Sequence, residues 1–434
     1  MQFSEALELA LGLIGGLSLF LFGMNLMGEA LEKSAGSRLT SILRNLTASP
    51  IRGFLLGMCV TAIIQSSSAT TVMLVGFVNS GLMTLGSAIP IIMGANLGTT
   101  VTSWLLSLTR IEGDHILVQM LKPSSFTPLL ALVGVILYLF INNSKKRNVG
   151  IILLGFSVLI FGMELMSDSV SPLKEVPEFA QILLMFQNPV LGILMGAVIT
   201  GIIQSSSASI GILQALSSTG AVSFGTAIPI IMGQNIGTCI TALISSVGAN
   251  KNAKRVAAVH LSFNVLGCCV ICAVFYSLNA IIGFTFTDLP IDEVGIATVH
   301  TAFNLICTLL LLPFAGALER LVRLIVKDGA DTKSERVLLE QRLIATPSVA
   351  IMHAGEAAQR MAKLAHSALC RAIDMLDNYS KDSFDSVVAD EELVDLYEDR
   401  LGTYLMEIAG KDISHSDSLE VTKLLHVIGD LERI

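Results

Sequence analysis

Gln65-Ser66-Ser67-Ser68 and Gln204-Ser205-Ser206-Ser207 each place one amide and three hydroxyls side by side inside an otherwise apolar stretch. Such a run supplies donors and acceptors at one spot, so it can line a wet cavity or hold ions without carrying formal charge. A second polar element follows each run: Gly94-Ala95-Asn96-Leu97-Gly98-Thr99-Thr100, and its counterpart Gly233-Gln234-Asn235-Ile236-Gly237-Thr238. Glycines flanking an asparagine suit a helix break. No Lys or Arg lies between Gly53 and Thr109 or between Glu175 and Asn250, and no Asp or Glu between Lys33 and Ile111 or between Phe179 and Thr287. An anion at these motifs must therefore be held by hydroxyls, backbone N–H groups and helix N-termini, and a cation by carbonyls, hydroxyls and amide oxygens. Because an isolated buried ion is costly, the economical solution binds both together, each neutralising the other. That chemistry is ion-coupled symport.

A bland reading competes with this one. Serines in membrane helices back-bond to the preceding turn, and small-residue runs serve close packing. A lone Ser-Ser-Ser would be read that way, but here the motif occurs twice in register, with Gln before it and Gly-x-Asn-x-Gly after it. Gly12, Gly16 and Gly23 read as packing positions. His260 and His300 each precede an asparagine by one turn, Asn264 and Asn304, and are assigned to support or proton sensing. Glu164, whose counterpart is the neutral Asn25, either binds a cation or sits near the interface. The seven cysteines show no paired CxxC ligand pattern and read as small hydrophobes.

The elements that must position these residues follow from an internal repeat. Phe22-Gly23-Met24 recurs as Phe161-Gly162-Met163, Pro50 as Pro189, and AIPIIMGANLGT from Ala88 as AIPIIMGQNIGT from Ala227, always 139 residues apart. Apolar runs predict full spans near 9–29, 86–108, 126–142, 149–168, 226–247, 255–277 and 295–316. Segments 51–80 and 190–220 read as re-entrant hairpins, since their runs on either side of the serines are too short to cross a ~30 Å core. With the N-terminus outside, inside loops carry thirteen Lys and Arg and outside loops only Arg110, Lys122 and Lys174. The first span then enters from outside and its counterpart at 149–168 from inside, so the halves are inverted. The expected fold class is an all-α polytopic membrane protein with two inverted repeats and re-entrant helical hairpins, plus a cytoplasmic helical bundle. Its first domain, 1–317, comprises repeats 9–142 and 149–316. The mean hydropathy of +0.72 and 14% charged residues exclude a soluble enzyme. Residues 318–434 carry the whole net charge of −8. That argues against a nucleic-acid partner.

Paired Gln-Ser-Ser-Ser motifs in inverted halves, each followed by PIIMGxNxGT, resemble the type II sodium/phosphate cotransporter family in its bacterial branch. The resemblance covers residues 9–316. It implies inorganic phosphate as substrate, held by Ser66, Ser67, Ser68, Ser205, Ser206, Ser207, Asn96 and Asn235. It also implies sodium as the coupled ion, held by Gln65, Gln204, Thr99 and Thr238. The chain is then expected in the cytoplasmic membrane among lipid, multi-pass, with its C-terminal domain in the cytoplasm. Animal relatives carry a large extracellular loop with a disulfide between the repeats; here the junction is only Asn142 to Asn148, and that feature does not transfer.

The tail reads as amphipathic helices over Ser348 to Leu376 and Ser383 to Ala409, with Pro347 as a helix starter. Its acidic runs, Asp390 to Glu398 and Val427 to Ile434, are similar to signatures of PhoU-like phosphate-regulatory bundles. In that family such carboxylates can bind metal; a solvated acidic face is the alternative, and both stay open. Because the second signature is cut short, 318–434 is expected to be a truncated bundle that engages a cytoplasmic phosphate-signalling partner. The lead expectation is sodium-coupled phosphate symport by alternating access. A sodium-independent phosphate exporter or a membrane phosphate sensor is the alternative. An intramembrane serine hydrolase fits poorly, since no GxSxG-type elbow is present and duplicating a nucleophile has no catalytic logic.

Overall fold

The computed structural model describes residues 3–45, 49–79, 83–108, 123–327, 339–411 and 413–434, and among these it is helical with no named strand. It divides into two compact units, one of residues 1–34, 46–75 and 84–327, the other of 35–45, 76–83 and 328–434. Six helices are long and apolar enough to cross a membrane, within 7–34, 85–107, 144–175, 224–245, 251–282 and 293–325. The chain is therefore a multi-pass, all-α membrane protein. The seventh expected span, 126–142, falls on a shorter apolar helix. Arg110 and Lys122 lie outside the described residues.

The first half runs α1 (Phe3–Asn45), α2 (Pro50–Ile64), α3 (Ser67–Asn79), α4 (Leu85–Ser107) and α5 (Pro123–Phe140). The second runs α6 (Ser144–Val170), α7 (Pro177–Met185), α8 (Pro189–Ile203), α9 (Ser206–Ser217), α10 (Phe224–Gly237), α11 (Cys239–Ser245) and α12 (Lys251–Ile282). Helices α13 (Glu293–Leu311) and α14 (Ala315–Ile325) complete the unit. Capping repeats with the sequence: Thr84 Oγ1 accepts from the Ser87 amide at the start of α4, and its counterpart Ser223 Oγ accepts from Thr226 at the start of α10. Helices α7 and α8 meet at a 99° bend, where Asn188 caps the second helix and Pro189 starts it.

Glycine sets how closely the paired helices approach. A Cβ on Gly57 would overlap the carbonyl oxygen of Ile91, and one on Gly94 that of Phe54; in the second half Gly196 meets Ile230 and Gly233 meets Ile193 in the same way. Thus α2 lies backbone to backbone on α4, and α8 on α10. Gly12, Gly16 and Gly23 do serve packing. A Cβ on Gly16 would sit 2.9 Å from the Gly162 carbonyl oxygen, and one on Gly23 2.6 Å from that of Gly155. Since Gly16 corresponds to Gly155 and Gly23 to Gly162, equivalent helices α1 and α6 cross antiparallel and reciprocally.

The second unit contains α15 (Pro347–Asp374), α16 (Lys381–Ala409) and α17 (His415–Arg433), close to the two helices expected from periodicity. Val349, Ala354, Ala357 and Met361 of α15, Leu401, Leu405 and Ile408 of α16, and Val421 and Ile428 of α17 form its core. Ser348 Oγ donates to Asp417 at 3.0 Å, and Tyr404 Oη donates to the Glu340 carbonyl at 2.9 Å. Among the described residues no group of three His, Cys, Asp or Glu side chains converges as a metal cluster.

His353 is fully buried with neither ring nitrogen hydrogen-bonded. Burial, with the Arg360 charge adding to it, pushes its pKa down to about 4. The folded state thus favours the neutral ring, and stability present above the unfolded-state pKa is lost as pH falls toward 4. Acidifying the full chain from about pH 7.5 to about pH 4.5 is expected to lower the amide-exchange protection factors of α15, each referred to the intrinsic exchange rate at its own pH, approaching a cost of about 3 kcal/mol at full protonation, and His353→Leu to remove that dependence. Equal pH sensitivity in both proteins would assign it to other groups.

Candidate functional site

Both Gln-Ser-Ser-Ser runs break a helix pair at the same register. Gln65 (φ 60°) and Gln204 (φ 57°) are the two non-glycine residues in the left-handed region among those described. Each ends a helix, its N–H bonding back to Thr61 or Thr200 at 2.7 Å. The next helix then starts at once. Ser66 Oγ accepts from the Ala69 amide at 3.1 Å, and Ser205 Oγ from Ala208 at 3.2 Å. A left-handed glutamine costs on the order of 1 kcal/mol, and two equivalent positions carry it. At each break the C-terminal carbonyls of one helix stand beside the N-terminal amides of the next, so partial negative and partial positive charge are offered together.

The surroundings of the two breaks differ. Gln65 is buried, accepting from Thr102 Oγ1 at 2.9 Å and donating through Nε2 to the Ala62 carbonyl at 2.5 Å. Gln204 is exposed, and its side chain makes no hydrogen bond among the described residues. Ser67, Ser206 and Ser207 are buried; Ser66, Ser68 and Ser205 are partly open. The two halves meet at Ser68, whose Oγ lies 3.3 Å from Thr241 Oγ1 on α11.

Asn96 and Asn235 are both buried. Asn96 Oδ1 pairs with His260 Nε2 at 3.0 Å and leaves Nδ2 without a partner, while Asn235 Nδ2 donates to the Ile231 carbonyl at 2.8 Å. The hydroxyls of Thr99 and Thr238 donate to backbone of their own turns, at 3.1 Å to Ala95 and 2.9 Å to Gln234. Their oxygen lone pairs stay available to a cation.

The glycine-flanked asparagines do not both break their helices. In the first half α4 runs unbroken from Leu85 to Ser107, because Gly94 and Gly98 are occupied by close packing on α2. In the second half one helix ends at Gly237 and the next starts at Cys239, with Thr238 between them still in right-handed helical geometry. The histidines hold α4 in place. His260 reaches it through Asn96, His300 Nδ1 meets Ser103 Oγ at 2.7 Å, and Asn264 and Asn304 each donate back to the histidine carbonyl one turn earlier. Glu164 is half-buried on α6, and its counterpart Asn25 donates to Glu29.

Residues given no role by the sequence reading also bind the site together. Gln214 on α9 donates to the carbonyls of Ser103 and Glu293, and Gln234 donates to Ser209 Oγ at 2.8 Å. Thr102 and Thr241 are likewise new. They continue the same 139-residue register three positions past Thr99 and Thr238, and that spacing is the signal that identifies them.

The Na+/Pi-cotransporter family model matches residues 19–168 and 171–298, and the PhoU domain model matches 358–434. An uncharacterized protein of Bacillus subtilis, YqeW, is 32% identical over 71% of this chain and 95% of its own length. The Escherichia coli protein YjbB, whose name proposes inorganic phosphate export, is 28% identical over 81% of this chain and 62% of its own. The rat sodium-dependent phosphate transport protein 2A is 36% identical over 105 residues, 24% of this chain and 16% of that protein. No solved structure matches significantly.

Proposed function

The chain belongs to the Na+/Pi-cotransporter family, and from that membership we propose that it is a sodium-coupled phosphate symporter working by alternating access. One observation carries the reading: equivalent, uncharged helix breaks at Gln65 and Gln204 each offer a carbonyl end and an amide end at one point. Sodium binds on the glutamine side, with Gln65, Gln204, Thr99 and Thr238 as oxygen ligands. Phosphate binds on the serine side, with Ser66 to Ser68, Ser205 to Ser207, Asn96 and Asn235 as donors. Without a fixed Lys or Arg, the dianion needs the cation beside it, and that need is the coupling.

The halves are inverted in the membrane; the antiparallel crossing of α1 and α6 supports this, as does the Lys and Arg bias toward one side. The N-terminus lies outside the cytoplasmic membrane, and residues 1–317 form the transport domain. Residues 318–434 form a cytoplasmic PhoU-like domain that reports phosphate status to a signalling partner. One observation favours outward flux instead: the name of the E. coli relative, which speaks of phosphate export.

Equilibrium binding of radiolabelled phosphate to the purified chain separates the two readings. Symport predicts that replacing potassium by sodium tightens phosphate binding by about tenfold or more, a coupling of about 1.4 kcal/mol. Equal affinity in both salts would favour the exporter.

A further inference from the structure

Helix α3 starts at the Gln65 break, yet its last turn, Gly76 to Asn79, falls in the second compact unit. What that turn meets there is the segment leading into α15. A Cβ on Gly76 would sit 2.4 Å from Leu343 Cδ2 and 3.6 Å from Glu340 Cγ, so the bare glycine backbone is the seat of the Leu343 side chain, itself buried. Beside it Asn79 Nδ2 donates to the Glu340 carboxylate. Glu340 also faces the other way: its carbonyl accepts from Tyr404 Oη of α16 at 2.9 Å and from the Leu343 amide at 3.0 Å. The Leu343 carbonyl in turn accepts from the Thr346 amide at 2.8 Å, immediately before α15. One short segment is thus fastened to the helices of the C-terminal unit and to the end of α3. The repeat shows that this seat is particular to the first half. Gly76 and Asn79 correspond to Ala215 and Ser218, and Ala215 is packed into the apolar core around Phe20. In the inverted topology proposed above α3 ends on the cytoplasmic side and α9 on the opposite one, so α3 alone ends on the side where the chain leaves its last span.

We propose that the last turn of α3 is a docking surface for the segment Glu340 to Ile344, and that this contact is a brake through which the C-terminal unit holds the Gln65 break. Helix α3 has 13 residues without a proline, about 18 Å from Ser67 to Asn79 at 1.5 Å per residue. Such a helix moves as one body, and the flexible point is the break at its start. Fixing its far end therefore restrains the turn that carries Ser67 and Ser68. Alternating access needs the hairpin to move, so docking slows turnover and undocking releases it. Leu343 on Gly76 supplies apolar burial, and the amide-to-carboxylate bond of Asn79 with Glu340 sets the register. The brake rests on the transport reading above for its purpose, but the coupling between seat and break is testable without any flux.

The test uses the full chain with the exposed Cys59, Cys269 and Cys370 replaced by serine. Gly76→Cys with Leu343→Cys puts two thiols where the glycine and the leucine side chain meet, and mild oxidation is expected to cross-link them. The cross-link is expected to slow phosphate uptake about tenfold or more, and a thiol reductant to restore it. Absence of the cross-link, or uptake unchanged by it, would overturn the brake. Amide exchange supplies the second measurement, in Leu343→Ala and in Asn79→Leu, the latter leaving residues 328–434 untouched. Protection is expected to fall about tenfold along α3 as far as Ala69, whose amide donates to Ser66 Oγ at the break, while α16 stays protected. Glu340→Gln keeps an acceptor for Asn79 and is expected to behave as the unmodified chain. Loss of protection confined to 76–79 would overturn the coupling of seat to break. Loss reaching Ala69 in a chain whose phosphate binding ignores sodium would keep the docking and reject sodium coupling.

Discussion

Gln65→Gly and Gln204→Gly will each abolish sodium-driven phosphate accumulation, a loss of about 100-fold or more, while the protein stays folded. Glycine is the informative substitution because it adopts φ near +60° at no steric cost, so the helix break is kept while the amide is lost; alanine would keep the left-handed strain without the side chain. Removing the side chain deletes one hydrogen bond to a charged ligand, worth about 1.5–3 kcal/mol, and the same order again if both ions are coupled. The two variants will differ in stability. Gln65 is buried against Thr102 and Ala62, so its loss orphans a hydroxyl donor. Gln204 is exposed and unbonded, so its loss should leave thermal unfolding in detergent unchanged and remove transport alone. Near-normal uptake by both variants would sink the assignment of the helix breaks as the ion site.

Gly94→Ala and Gly233→Ala will be among the costliest single methyl additions in the transport unit. The added carbon would overlap the carbonyl oxygens of Phe54 and Ile193, which are backbone atoms that no rotamer change can move. The helices α2 and α4, or α8 and α10, would have to separate, at about 3 kcal/mol or more. Gly316→Ala in α14 is the matched control, with nothing within 4 Å of the new carbon; it should be neutral or stabilising by about 0.5–1 kcal/mol. Thermal unfolding of the three variants in one detergent measures this directly. Equal stability of Gly94→Ala and Gly316→Ala would contradict backbone-to-backbone packing.

Much of the architecture was legible because membrane spans and an internal repeat are both written in composition and spacing. The 139-residue register located both glutamines, and the short apolar runs beside them marked the helix breaks. The tail helices fell within a few residues of their periodicity. The first glycine-flanked asparagine misled, since glycine serves a break and a close helix crossing equally well: the carbonyl of Phe54 against Gly94 keeps α4 packed and unbroken, while the second is followed by a helix end at Gly237. The pairing of Asn96 with His260 and of Ser103 with His300 joins residues 164 and 197 positions apart, which no local pattern encodes. Hardest of all was the unequal treatment of the two breaks. The two Gln-Ser-Ser-Ser runs are identical in sequence, and the difference between buried Gln65 and exposed Gln204 lies in what packs around each of them.

The central claim is that an anion and a cation share one uncharged site and move together. Uptake of radiolabelled phosphate into proteoliposomes under an inward sodium gradient, with potassium replacing sodium as control, tests it most directly. The account predicts sodium-dependent accumulation of phosphate above its external concentration, lost when the gradient is collapsed. Equilibration at the same rate in sodium and in potassium would contradict it.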